Sequence, residues 1–403
     1  MKKLLFATLA ILAIACSSDD AVPTTPEENN PENPTPVVVC DNMFEGDITL
    51  STQEEVNAFA ANGYCGVKGR LFIGSRMDMV EGTPVFINSD ITNLQGLEGL
   101  KIIDKELAIG INPLLTSLNG LNNLEQVSDL IIQYANALVN LQGLNSLAIF
   151  TGTHGNGKGS IDINSNTSLV NLEGLDSVTL IGNLSIKNNP VLTNLHGLEN
   201  LEKVVEQATI SGDENLQSLT GLDNLKRAFI FNCTGNNSLS SLQALHNFNY
   251  ANTMSLIGNK LLVNLKGLEG LKEIETFEIW ANESMTSLEG LQNLKLASDI
   301  SISDNNALAS ISHLSGLTSF TVSPYYKGNS MLINDNDALT SLDGLQNITV
   351  FTGRLIVSQN LSLNNLCALQ SIVSIGNFGT PVNITQNLYN PSVDAIAAGN
   401  CSQ

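Results

Sequence analysis

Apolar positions in this chain recur with one period. From Leu184 to Val204 it reads LSIKNNPVLTNLHGLENLEKV, a skeleton of L-x-I-x-x-N-x-x-L-x-x-L-x-G-L-x-x-L-x-x-V. With the residue ahead of the G-L pair as anchor, copies fall at Leu94, Leu118, Leu141, Leu172, Leu195, Leu219, Leu242, Leu265, Leu288, Ile311, Leu342 and Leu366. Neighbouring anchors are 23 or 24 residues apart, except for two steps of 31 (141 to 172 and 311 to 342). A period in the range of roughly 20–50 residues, held this strictly, marks a solenoid.

The columns of the repeat predict its elements. Pairs such as Leu107/Ile109, Leu184/Ile186, Phe277/Ile279 and Leu355/Val357 alternate with polar residues, as short strands with one buried face do. Three residues past each pair comes a column that is polar in every coil but the third: Asn88, Asn112, Ala135, Asn166, Asn189, Asp213, Asn236, Asn259, Asn282, Asn305, Asn336, Asn360 and then Asn387. The apolar positions that follow are spaced by three, too wide for a strand and too persistent for one amphipathic helix. They predict a chain turning corners. An amide in such a turn can bond its own coil and its neighbours, so the Asn column is expected to be a structural ladder. The fold expected is all-β with few helices: a right-handed, β-helix-like solenoid of ~23-residue coils, each needing its neighbours to bury its core. A leucine-rich-repeat horseshoe is the rival, but it places Asn two residues before the next Leu, whereas Asn189 precedes Leu192 by three.

The flanking segments differ. Residues 1–15, with Lys2, Lys3 and about a dozen apolar residues, are laid out as a signal peptide. Ala13-Ile14-Ala15-Cys16 resembles a bacterial lipobox, which implies lipid on Cys16 and membrane anchoring. Ser17-Ser18-Asp19-Asp20 resembles the acidic signal that sends some lipoproteins to the outer face of the outer membrane. The Pro-, Glu- and Asn-rich remainder of 16–39 is expected to be a disordered tether. In 40–65, Asp47–Leu50 predicts a strand and Thr52–Ala61 a helix, with Thr52 and Glu55 as a capping box. This is the expected cap of a solenoid over 66–401, whose first strand is placed at Arg70–Ile73. The two long steps insert Thr151–Gly159, which carries His154, and Ser323–Ser330, which carries Tyr325 and Tyr326. Such loops are candidate binding elements. Cys40 with Cys65, and Cys367 with Cys401, bracket the two ends and suit disulfides; Cys233 falls in an inward column.

Composition narrows the function. A net charge of −21 argues against nucleic acid, which needs basic surface. The four histidines have no metal spacing, Gly152–Lys158 lacks the Ser or Thr of a phosphate loop, and Asp335-Asn336-Asp337 spends its Asn on the ladder, so no metal or cofactor is expected. A polysaccharide-degrading β-helix needs clustered carboxylates. The outward mid-strand column holds only Asp162 and Glu278, five coils apart, at ~4.8 Å per coil. Catalysis is therefore not expected. Beside that column Ile257 precedes Trp280 by one coil; the only Trp of the chain is a candidate anchor for a partner or a sugar ring.

Taken together, I-x-N-L-x-G-L-x-x-L-x-x-I followed by L-x-I-x-x-N resembles the receptor L-domain, a relative of leucine-rich repeats. Asn364-Asn365-Leu366-Cys367 is similar to its close, and Cys40, Gly46-Asp47-Ile48 and Gly69–Ile73 to its start. The resemblance implies a ligand-binding solenoid. The expectation is a monomeric, lipid-anchored surface protein that binds a protein or glycan without catalysis. A glycan-capture component of a nutrient-uptake system and a polysaccharide-degrading enzyme are the alternatives.

Overall fold

A computed structural model describes residues 38–80, 83–152, 157–321, 330–375 and 382–403. The signal peptide, Cys16, nearly all of the tether, His154, Tyr325 and Tyr326 lie outside them.

Each coil contributes one strand to a main parallel ladder. Its rungs run Ile48–Leu50, Leu71–Ile73, Ile102–Ile109, Gln126–Gln133, Ser160–Asn164, Asn183–Lys187, Lys203–Ser211, Arg227–Thr234, Thr253–Ile257, Glu273–Trp280, Leu296–Ser303, Ser330–Asn334, Arg354–Ser358 and Asn383–Thr385. The result is a solenoid of about 14 turns. Residues two dozen apart lie in register, for example Leu184 on Ala208 and Ile186 on Ile210. A shorter parallel ladder precedes it in most coils, as in Leu180–Ile181 beside Lys203–Val204, and a bulge between Val204 and Gln207 separates the two. The bulge turns the strand from one face of the coil to the next.

The spacing of three has a simple cause. Leu192 N bonds Asn189 O, Leu198 N bonds Leu195 O and Leu201 N bonds Leu198 O, so successive tight turns bring every third side chain inward. Leu192, Leu195, Leu198 and Leu201 are fully buried, as are their equivalents along the stack. The repeat glycine sits between two of these turns. Gly197 has φ +110°, and a Cβ there would lie 2.0 Å from Leu172 O of the coil before. Three coils replace this glycine, with Ala244, His313 and Ala368, and at those three the corner is a 3-10 helix: Gln243–Leu245, Ser312–Gly316 and Cys367–Leu369. A side chain at that corner thus goes with a tighter turn that keeps φ negative.

Two polar ladders tie the coils. In the first, each Asn from Asn166 onward accepts from the backbone N–H of its counterpart one coil earlier and donates to a strand carbonyl of that coil. Asn236 Oδ1 accepts from Asp213 N at 3.1 Å, and its Nδ2 donates to Ile210 O at 3.0 Å. Asn112, Asn166, Asn189, Asn236, Asn259, Asn282, Asn305, Asn336 and Asn360 are all fully buried. Asn390 receives the last link, from Asn387 N at 2.9 Å. The second ladder lies at the corner five residues past the anchor, where Asn200 donates to Asp176 O and Asn224 to Glu199 O.

Three details at the ends depart from the sequence expectation. The cap strand Ile48–Leu50 pairs in parallel with Leu71–Ile73, so the stack begins in the cap and not at Arg70. An antiparallel hairpin, Arg76–Val80 with Thr83–Ile87, interrupts the second coil after its strand Leu71–Ile73. That insertion shifts the column by one residue: Asn88 is exposed, and Ser89 takes the ladder place and donates to Asn112 Oδ1 at 2.7 Å. The cap helix Gln53–Ala60 has its capping box at Thr52 and Glu55. Glu55 also holds Arg76 of the hairpin at 2.7 Å. Burial pulls the Glu55 carboxyl upward, but hydrogen bonds from Ser51 N, Arg76 and Thr52 N outweigh it and hold the group below its usual range. The far end is closed by helices Gln370–Ile375 and Val393–Ala397. Disulfides join Cys40 to Cys65 and Cys367 to Cys401, with Cα atoms 5.6 and 4.8 Å apart, while Cys233 is a buried free thiol.

Candidate functional site

The register places the outward residues of the main ladder in straight columns. The mid-strand column runs Phe72, Ala108, Ile131, Asp162, Ser185, Thr209, Asn232, Ser255, Glu278, Ser301, Leu332, Ile356. Asp162 accepts from Ser185 Oγ at 2.8 Å and Gln133 Nε2 at 3.0 Å, and Glu278 accepts from Ser255 Oγ at 2.7 Å. These two acids remain five rungs apart and belong to separate polar clusters.

Two residues further on, the next outward column runs Thr234, Ile257, Trp280, Ser303, Asn334, Ser358. Ile257 and Trp280 are direct register partners, and Trp280 is 51% exposed. Its strand is paired on both sides, with Ile257 before it and Ser303 after it in register, and Trp280 O accepts from Gly258 N at 2.8 Å and from Asn282 Nδ2 at 3.2 Å. The indole therefore stands on a rigid rung. Side-chain size drops at the following rung to Ser301 and Ser303. A cavity of about 450 Å³ opens there, lined by Trp280, Ser301, Ser303, Asp304, Leu332, Asn334 and Asp335. It lies on the side of Trp280 away from Ile257, so the two sequence candidates share a column but only Trp280 faces the cavity.

Local backbone explains the two acids. Asp304 and Asp335 immediately precede ladder asparagines and have φ of 56° and 52°. Asp and Asn tolerate this left-handed turn better than most side chains; other coils place Asn188, glycine, or Tyr134, Ser165, Ala281 and Gln359 there. The turn is required by the ladder, and it leaves both carboxylates at the rim. Asp335 Oδ2 accepts from Asn334 Nδ2 at 2.8 Å, and Ser303 Oγ donates to Asn334 Oδ1. The column reading singled out Trp280 but missed these partners. The signal available was the residue type just before each ladder Asn.

A third acid, Asp299, sits one rung from Thr276 on the same ladder. Burial pushes its carboxyl up; a hydrogen bond from Ser330 N opposes this, and Glu278 adds a repulsive charge. Its counterpart Asp129 accepts from Ser160 N at 2.7 Å. Both acids hold the first residue of the strand that follows a long insertion, an anchoring role that explains their placement. A smaller cavity of about 300 Å³ lies at the capped end, beside Phe44, Phe59 and Tyr64. Those rings pack on one another with centroids 5.2–5.7 Å apart.

Among the described residues no group of three or more His, Cys, Asp and Glu side chains is arranged to hold a metal ion. After Gly159 the chain enters a strand, Ser160–Asn164. The class defined by these features is an all-β parallel solenoid of leucine-rich coils. No protein-family model and no curated protein matches the chain. Among solved structures it is similar to the protein in the crystal structure of the TLR13–ssRNA13 complex, at 16% identity over 85% of this chain and 61% of that one, with a TM-score of 0.26. The chain thus spans less than two thirds of that protein, and so loose a superposition carries no argument about ligand or partner.

Proposed function

We propose that this protein is a non-catalytic recognition scaffold of the bacterial cell surface, held to the outer membrane by lipid on Cys16, whose solenoid presents its main-strand face to a protein or glycan. The receptor L-domain resemblance supports this reading, as does the lipobox-like Ala13–Cys16. The observation that carries it is the half-exposed Trp280 on a rung paired on both sides, next to a cavity of mixed polar and apolar lining. A large aromatic held open to solvent on a rigid support is the usual form of a binding anchor.

Non-catalytic action is supported by how two acids of this face, other than the rim pair Asp304 and Asp335, are spent. Glu278 bonds Ser255, and Asp299 bonds Ser330 N. Capture of glycans for uptake and polysaccharide degradation remain the competing readings. Exposing the protein to glycan and protein arrays, with a reducing-end assay run in parallel, separates them. Binding without product release is expected; release of reducing ends overturns the non-catalytic reading. Radiolabelled palmitate should label the wild-type chain in cells and not Cys16→Ser.

A further inference from the structure

Resting on the reading that the main-strand face binds a ligand, we propose that the cavity beside Trp280 is a subsite for one pyranose ring of a neutral glycan, stacked on the indole and hydrogen-bonded to Asp304, Asp335 and Asn334. A pyranose offers what this cavity complements: an apolar C–H face and a rim of hydroxyl donors.

The dimensions agree. Trp280, Ser303 and Asn334 are successive register partners, so Trp280 and Asn334 stand two rungs apart, or ~9.6 Å at ~4.8 Å per rung. A ring in van der Waals contact with the indole, at ~4 Å, then lies over the short Ser303 side chain and still leaves room for the polar wall at Asn334. The volume of about 450 Å³ falls within the range of roughly 300–1,000 Å³ typical of small-molecule sites. Leu332 supplies an apolar patch of floor, and Ser301 and Ser303 supply hydroxyls.

Charge selects the kind of sugar. The rim presents two carboxylates, and Glu278 stands on the rung below Ser301. Carboxylates only accept hydrogen bonds, which suits sugar hydroxyls as donors, whereas a uronic acid or sulfated sugar would be repelled. Protein partners fit less well. The mid-strand residues on the N-terminal side, Ser185, Thr209, Asn232 and Ser255, and Ser301 beside the cavity are small and polar, with Leu332 and Ile356 beyond, whereas the buried centre of a protein interface is apolar throughout.

Trp280 is the sole tryptophan of the chain, so intrinsic emission reports on this one site. The test titrates the full protein with neutral hexasaccharides of glucose, mannose and xylose, and with a galacturonate hexamer, following emission and calorimetric heat. At least one neutral hexamer should shift the emission and the acidic one should not. Trp280→Ala should weaken calorimetric binding by roughly thirty-fold. Ser303→Tyr, which fills the cavity while keeping the indole, should weaken it as well, with both variants melting as the wild type does. Neutral binding that survives both substitutions sinks the subsite and leaves glycan recognition by the protein standing. Silence of Trp280 toward every neutral hexamer, or preference for the galacturonate, also overturns it. So does a Trp280 response to a lysine-rich peptide alone, which would make this face a protein interface.

Discussion

Asp213 is the one acid in the buried Asn ladder, and its replacement by Asn is the sharpest test of how that ladder works. The side chain is fully buried. Its Oδ1 accepts from Asn189 N at 2.7 Å and from Asn189 Nδ2 at 3.1 Å, while Oδ2 has no partner. In neighbouring coils an amide nitrogen fills that second place and donates to a strand carbonyl, Asn189 to Ile163 O and Asn236 to Ile210 O. The register assigns Ile186 O to Asp213, an acceptor that a protonated carboxyl can satisfy and a carboxylate cannot. Burial pushes the group up to about 7, with the two Asn189 bonds opposing the shift. Because the folded value lies above the unfolded one, the acid's contribution is fully present below pH ~4 and is lost as pH rises through ~7. From 3.8 to about 7, at 1.36 kcal/mol per unit, the loss amounts to about 4 kcal/mol. Asp213→Asn should match the wild type near pH 4 and exceed its stability by up to ~4 kcal/mol at pH 8. Urea unfolding of both proteins from pH 4 to 8.5, compared as a difference so that shared titrating groups cancel, measures this. A difference that does not vary with pH, or a variant less stable at pH 8, refutes the argument. Since solenoids can unfold in parts, exchange of the Asn189 N–H should follow the same trend.

Other consequences can be checked directly. Gly197→Ala forces a side chain into a φ of +110° and against Leu172 O, and should cost about 3 kcal/mol, whereas Ala244→Gly should cost only about 1 kcal/mol. Thermal melts of the two variants decide the order. The Cys233 thiol is buried and pushed up to about 12, so iodoacetamide should label it only after unfolding. Labelling of the native protein would show that the coil opens. Replacing Cys367 and Cys401 by Ser removes a cross-link spanning 34 residues and should cost up to about 4 kcal/mol, read as faster proteolysis of the C-terminal turn.

The architecture was legible because each column carries one physical demand. An inward position is apolar, a ladder position in nearly every coil both donates and accepts, and a corner that meets the preceding coil lacks a Cβ unless it tightens into a 3-10 turn. Repetition of these demands aligned Ser185 with Thr209 and Ile257 with Trp280 before any coordinates. What escaped was what is not periodic. The hairpin Arg76–Ile87 has no repeat to reveal it, and it moved the ladder place from Asn88 to Ser89. The cavity partners Asp304 and Asp335 were hidden because a left-handed turn, not an outward strand position, aims them at the rim. Asp299 escaped for another reason: its partner Ser330 is 31 residues away, a spacing seen only where an insertion intervenes.

The two terminal cross-links also determine where the molecule gives way mechanically. Traction arriving from residue 39 crosses from Cys40 to Cys65 through a covalent bridge, leaving the whole cap outside the force path. A pull at the other extremity likewise jumps from Cys401 to Cys367. The end turns, which in an open stack would peel first, are thus spared, and the load falls on the coils between Cys65 and Cys367 and on the backbone and asparagine bonds that join them.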